Sequence, residues 1–501
     1  MARQPRTLAK AAIAALAALA AWGCTAAPGP TLAEAVPDLD ARVGHGEGAF
    51  EHAHELPWDV RDERWDGTSP LDARTAVDLA LAGNRALRRV VAEVERRRAW
   101  TQDAQLAPNP VVNVAGGIPV DMGVVPVLAM VGQQVDWLWK RDAIVGEADA
   151  QLRALLFEAA AMAVSTVAEA RSAYVATAGA IEVESLARRD VEVAARILAA
   201  TQAAFDAGDA TAAAVNEARM NAAEAQNRAM EASLELVAQK TRLLESMGRG
   251  ADGLGWVTAD RSARAAREAC GVTPPDALDD DALRALVRGQ RLDLRAAEAR
   301  VEGAEARVAL ARLARLPGVM LGAGWERDME DDSAVMLQAQ VTVPVFNDGR
   351  FRVSAAEHDL EIARLDADAT WQRAVIDARR ALERVAAAEH HESTLRAMTL
   401  ASFEGNRRIL SAAVEAGDRP AVQLWRSEHQ ENHIRIQLAR AERDRALAAL
   451  GFEQALAGTR LPSMQGGGLP ALDPGGMGMS GAGGGLGPIQ TFDFASMEAM
   501  Q

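Results

Sequence analysis

The feature that most constrains this chain is long-range duplication. The stretch QAAFDAGDATAAAVNEAR (202–219) interrupts what otherwise reads as one very long helix, at Ala207-Gly208-Asp209. The stretch SAAVEAGDRPAVQLWRSE (411–428) repeats the interruption at Ala416-Gly417-Asp418. Other segments answer one another at nearly the same offset. LAGNRALRR (81–89) matches VRGQRLDLR (287–295), and LAPNPVVNVAGG (106–117) matches LARLPGVMLGAG (313–324). GQQVDWLWKR (132–141) matches QAQVTVPVFN (338–347), and Gly248 after LLESM is paired with Gly451 after ALAAL. Agreement over so long a period indicates two copies of one unit of about 180 residues, not a short-period solenoid.

Each unit reads helix, strand, strand, helix, helix. Ala, Leu, Arg and Glu, all strong helix formers, dominate the helical segments. The predicted order in the first unit is a helix over 71–106, strands over 110–118 and 124–138, and helices over 141–205 and 210–247. In the second it is a helix over 279–315, strands over 318–327 and 334–346, and helices over 350–415 and 419–457. The predicted organisation is a lipoprotein-type signal peptide (1–23), an N-terminal extension (24–70), the first repeat (71–248), a hinge-like linker (249–278), the second repeat (279–457) and a Gly/Met-rich tail (458–501). The net charge of −16 argues against a nucleic-acid partner.

The strands carry a second constraint. In AVMLQAQVTVPVF, Val335, Leu337, Ala339, Val341, Val343 and Val345 line one face, while Met336, Gln338, Gln340 and Thr342 line the other. The first unit has the same phase, with Val127, Ala129, Val131 and Val135 against Met130, Gln134 and Asp136. Strict period-2 alternation is the mark of a strand with one buried face. A soluble sheet is the commoner source of that pattern. Beside helices far longer than a globular core uses, it also suits a barrel strand with lipid outside and water inside. Four strands cannot close a barrel, and open edges in lipid leave backbone groups unpaired, so a membrane role requires several chains to share one barrel.

The N-terminus has a basic start (Arg3, Arg6, Lys10) and an apolar run from Ala11 to Ala21, too short for a membrane span. It ends at Gly23-Cys24, similar to a lipobox, which makes Cys24 the candidate lipidation site; an ordinary signal peptide is the alternative.

With these elements in place, RLDLRAAEARVEGAEARVALARLARLPGVMLGAGW (291–325), VTVPVFNDGR (341–350) and AVEAGDRPAVQLWRSEHQ (413–430) resemble the TolC-like outer-membrane efflux protein family. The resemblance spans about residues 70–457. It implies a mainly α fold with a small β part. Three chains would form a 12-strand outer-membrane β-barrel, continued by a long periplasmic α-helical barrel. It implies a homotrimer that serves as the exit duct of a tripartite efflux pump, with a periplasmic adaptor, an inner-membrane pump and outer-membrane lipid as partners. The lipid-facing strand residues would be Val335, Leu337, Val341 and Val343. Adaptor docking would fall on Ala207, Gly208, Asp209, Ala416, Gly417, Asp418, Arg419 and Pro420. Family members carry acids about two turns past the second tip glycine. Here Gln423 and Arg426 stand there, leaving Glu217 and Glu428 as the charge at the pore entrance, with Arg426 expected to pair with an acid.

No enzyme and no cofactor are expected, since no phosphate-binding loop and no catalytic constellation stand out. His429 and His433 are spaced i,i+4, and His45, His52 and His54 cluster with acids, which makes these five the metal candidates. With the methionines of the tail, whose thioethers favour soft metals, they lean toward heavy-metal cargo; a drug, solvent or peptide duct is the competing reading. The rival from another class is a lipid-anchored periplasmic coiled-coil scaffold without a pore.

Overall fold

The computed structural model describes residues 26–27, 29–39, 42, 65–116, 127–250, 252–272, 278–327 and 333–458. The signal peptide, Cys24, His45, His52, His54 and residues 459–501 lie outside the described residues. The chain is mainly helical with one small sheet, and both repeats follow the expected element order. A short helix α1 (Leu32–Ala35) precedes the first repeat. That repeat comprises α2 (Ala73–Gly83), α3 (Arg85–Gln105), β1 (Val111–Gly116), β2 (Val127–Gln134), α4 (Trp137–Asp206) and α5 (Ala212–Ser246). After α6 (Ala263–Ala269), the second repeat runs α7 (Asp280–Gln290), α8 (Leu292–Leu313), β3 (Gly318–Arg327), β4 (Ser333–Thr342), α9 (Arg350–Thr394), a π-helical turn (Leu395–Leu400), α10 (Ala401–Glu415) and α11 (Ala421–Ala457).

The single helix expected at the start of each unit is in fact two. Asn84 leaves the helical region, and its side chain accepts hydrogen bonds from the N–H groups of Ala86 (2.9 Å) and Leu87 (3.1 Å), capping α3. The second repeat breaks at Arg291 without such a cap. There the guanidinium donates to Asp293 Oδ2 at 2.6 Å and to the Ala455 carbonyl at 2.8 Å. One break is thus held locally, the other by a neighbouring helix.

Helix α4 has 70 residues, roughly 105 Å at 1.5 Å rise per residue. It packs against α5, α8 and α11. Its buried face is rich in alanine, including Ala159, Ala160, Ala163, Ala170 and Ala178. Alanine loses no side-chain entropy in a helix and lets neighbouring backbones approach closely. An 18-residue window of α4 reaches a mean hydropathy of 1.2, but 61% of it is buried against those neighbours. Its apolarity is therefore accounted for by packing.

The linker is built into the core. Leu71 exchanges backbone hydrogen bonds with Val257 (2.9 Å) and Ala259 (2.8 Å). Trp256 is fully buried and meets Trp65 edge to face at 5.5 Å. The only tyrosine of the chain, Tyr174, donates from its hydroxyl to Asp260 at 2.9 Å. The segment expected to be a hinge is stitched to both α4 and Leu71 just before α2, because its apolar residues have a core to enter.

The match of Gly248 with Gly451 is corrected by the structure. Gly248 ends α5 with φ +71°, whereas Gly451 lies inside α11, which ends at Gly458 with φ +74°. Gly458 is the structural counterpart; ALAAL resembles LLESM but sits about two turns earlier on its helix. At Gly248 the chain also touches Gly83 backbone to backbone. A Cβ on Gly83 would stand 2.1 Å from the Met247 carbonyl oxygen, and one on Gly248 2.6 Å from the Gly83 oxygen. Neither neighbour is a movable side-chain end, so Gly83→Ala or Gly248→Ala should cost at least about 2 kcal/mol through strain and overpacking. Thermal unfolding of the two variants beside the parent checks this.

Candidate functional site

The four strands form one antiparallel sheet in the order β1-β2-β3-β4, so β2 and β3 join the repeats. Directly opposed residues in a sheet share a face. The register therefore defines whole rows: Val112, Val131, Ala323 and Leu337 form one, and Val114, Ala129, Trp325 and Val335 the next. Every member is apolar, and Val114 and Leu337 are 70% and 78% exposed in the single chain. The opposite face carries Asn113, Gln134, Gln338, Gln340 and Thr342. The sheet thus has an apolar face open to its surroundings, with β1 and β4 as edges that pair on one side only among the described residues. Val335, Leu337 and Val341 lie on the apolar face. Val343 lies just past β4, because Pro344 supplies no donor to continue the ladder and restricts the residue before it. Asp136 is 3% exposed and paired with Lys140 at 2.6 Å, so it is a buried ion pair at the strand–helix junction, not an inward strand residue.

The helices carry a second unpartnered surface. Phe351, Ile362, Leu365 and Ile376 are exposed on α9, and at 100° per residue they fall within one narrow stripe. Met220, Met230, Leu234 and Val237 are exposed on α5, within a broader arc of about 100°. Exposed apolar stripes of this kind mark protein or membrane contact surfaces.

Both tips are built identically at the backbone. Gly208 (φ +86°) and Gly417 (φ +80°) follow their helices in the left-handed region. Gly208 N donates to Phe205 O (2.9 Å) and Asp209 N to Ala204 O (2.8 Å); Gly417 N donates to Val414 O (3.1 Å) and Asp418 N to Ala413 O (2.9 Å). These are paired Schellman closures. The exits differ. Thr211 caps α5 through its hydroxyl, whereas Pro420 opens α11 with no side-chain cap. Ala207, Gly208, Asp209, Ala416, Gly417, Asp418, Arg419 and Pro420 are all exposed.

The residues proposed for the pore entrance are spread over both hairpins. Glu217 and Arg426 are exposed. Gln423 accepts from Arg419 at 3.3 Å, and Glu428 lies 3.6 Å from Arg196, whose guanidinium also sits 5.7 Å over the Trp425 ring. His429 does not pair with His433: its Nδ1 lies 2.8 Å from Asp190 Oδ1, and Arg228 approaches the other oxygen at 3.2 Å. His433 instead meets Gln437 at 3.0 Å, and burial holds its imidazole below the ordinary histidine range. Among the described residues no cluster of three or more His, Cys, Asp or Glu is arranged to hold a metal. Asp190, 1% exposed, was missed by sequence reasoning because a lone Asp in ARRDVE looks like any helix-face acid.

Both tip glycines have open space where a Cβ would go. Gly208→Ala and Gly417→Ala should therefore cost only the left-handed backbone strain, about 1 kcal/mol each, less than the Gly83 and Gly248 variants; denaturant unfolding of the four side by side tests this order.

Comparison with known proteins follows from this geometry. Residues 283–458 match the family described as outer membrane efflux protein. No curated protein matches the chain by sequence. Among solved structures, the channel-forming protein CusC aligns with a TM-score of 0.64 at 17% identity, over 80% of this chain and 97% of its own. VceC of Vibrio cholerae aligns with a TM-score of 0.60 at 16% identity, over 77% and 96%. The open-state outer membrane channel MtrE of Neisseria gonorrhoeae aligns with a TM-score of 0.59 at 18% identity, over 77% and 89%. The second repeat thus matches the outer membrane efflux protein family, and the chain as a whole shares the fold of these solved outer-membrane channels.

Proposed function

We propose that three copies of this chain close a 12-strand barrel in the outer membrane and act as the passive exit duct of a tripartite efflux pump. The observation that carries the reading is the sheet: four strands with one continuous apolar face and two open edges. Such edges are untenable in lipid unless another strand pairs with them, and three copies joined β1 to β4 remove them all. The stripes on α5 and α9 give the helical walls the matching contact. A pore-free coiled-coil scaffold would have no use for the apolar sheet.

Trp137, Trp139, Phe346 and Phe351 gather at the helix end of the sheet, where aromatic side chains anchor a barrel at the membrane surface. Ala27 N donates to Gln105 at 2.7 Å, at the end of α3 next to the sheet. Cys24 is three residues earlier in sequence, and the Gly23-Cys24 pattern makes it the lipidation site of this reading. The exposed turns around Gly208 and Gly417 would receive the helical hairpin of an adaptor. For cargo, heavy-metal cations are the class this chain's composition favours, through the histidines at 45–54 and the methionines of the tail.

Two outcomes test the reading. Leu337→Lys should impair assembly into liposomes by about 2–4 kcal/mol, as a cation does on the lipid face of a barrel, while Gln338→Lys on the opposite face should fold normally; equal behaviour of the two, read by heat-modifiable migration on gels, would remove the barrel. A deletion strain should lose resistance to Cu, Zn, Co, Ni or Cd salts while tolerating dyes and detergents as before. Sensitivity confined to dyes and detergents would keep the duct and replace the cargo.

A further inference from the structure

Three methionines on the polar face of the sheet have no part in the account so far. Met130 and Met336 both pair with Gly324 of β3, so Asn113, Met130, Gly324 and Met336 form one row. Met320 lies between Gln134 and Gln340 two rows nearer the helices. The row between them contains Gly132 and Gly322. These glycines let the thioethers lie across the sheet. A Cβ on Gly324 would stand 2.5 Å from Met130 Cγ, and one on Gly132 3.2 Å from Met320 Sδ. Met130 therefore leans over Gly324 of β3 and Met320 over Gly132 of β2, while Met336 stands directly opposite Gly324 on β4. Among the described strand residues this face carries no Lys or Arg, and Glu326 is its one acid.

We propose that Met130, Met320 and Met336 form a thioether ladder that takes a soft monovalent cation, Cu(I) or Ag(I), along the water-facing wall of the barrel. The inference rests on the duct reading and names a cargo class for it. Two strand spacings of about 4.8 Å set the Cα atoms of Met130 and Met336 about 10 Å apart. Each unbranched side chain reaches about 4 Å and can turn its sulfur toward the other across Gly324. Thioethers select soft cations, and neutral ligands exposed to water bind weakly enough to release what they bind. Met320, flanked by two glutamines, is the next sulfur toward the helical end. In a trimer each ladder is present in every chain, so cations would meet thioethers all around the wall. This set is distinct from the histidine candidates, which use harder nitrogen ligands.

The test uses the full-length protein, purified free of metal and titrated with Ag(I). The Met130→Leu/Met336→Leu double variant keeps side-chain volume and should keep the sheet intact; a Met220→Leu/Met230→Leu variant on α5 is the control. The ladder predicts that the sheet variant loses about one equivalent of Ag(I) per chain and the control none. A deletion strain carrying the sheet variant should become markedly more sensitive to silver and copper, with dye and detergent tolerance unchanged. Conductance in planar bilayers is read on the same preparations. Conducting channels with undiminished Ag(I) binding in the sheet variant overturn the ladder alone. Absence of conductance in the parent overturns the duct and the ladder with it.

Discussion

The organisation of this chain depends on backbone hydrogen bonds that one copy cannot complete. Strand β1 pairs only with β2 and β4 only with β3 among the described residues. In water an exposed edge invites aggregation; in lipid it is far more costly, because nothing else can satisfy the amides. The apolar rows across all four strands mean that lipid is the environment the sheet is made for. In the proposed barrel, closure by identical copies would answer both demands, since one rotation brings every β1 against a β4. In that assembly the exposed stripes on α5 and α9 would extend the same association along the helices.

Duplication supplies two similar hairpins per chain, but each copy has been locked in its own way. The first repeat uses an Asn84 cap and a direct backbone contact between Gly83 and Gly248. The second uses the Arg291 guanidinium, held by Asp293 and the Ala455 carbonyl, and its long helix contains a π-helical turn absent from α4. The Asp190–His429 contact ties the two hairpins of one chain together, and Asp190–Arg228 joins the two helices of the first. An Asp left buried without these partners would be costly, so the three side chains fix how α4, α5 and α11 sit near their tips.

Much of the architecture was legible in the sequence. The period-2 alternation of AVMLQAQVTV sets the faces of β4, and the register carries the same phase through all four strands. The AGD turns announce both helix ends, because glycine in the left-handed region is what a Schellman closure requires. Local patterning could not reveal what depends on distant partners. Gly83 looks like an ordinary helix-end glycine until Gly248 is placed against it. Arg291 lies in a continuous helical pattern, and only the Ala455 carbonyl explains the break. His429 and His433 have metal-pair spacing, but which side chain faces His429 is decided on another helix. The methionine ladder required the strand register, since Met130 and Met336 are separated by 206 residues of sequence.

The length of α4 has one more consequence. A helix of 70 residues is a ruler of roughly 105 Å, and the α9–α10 segment has a closely similar span. Neither can change alone without throwing the tips out of level. Excising a matched pair of heptads from α4 and α5, and their counterparts from α9–α10 and α11, would keep every apolar stripe in phase and draw the tips about 20 Å toward the sheet. The gap a duct of this kind can bridge is therefore written in whole heptads, so a cell with a wider or narrower envelope would need the same fold in a different number of turns.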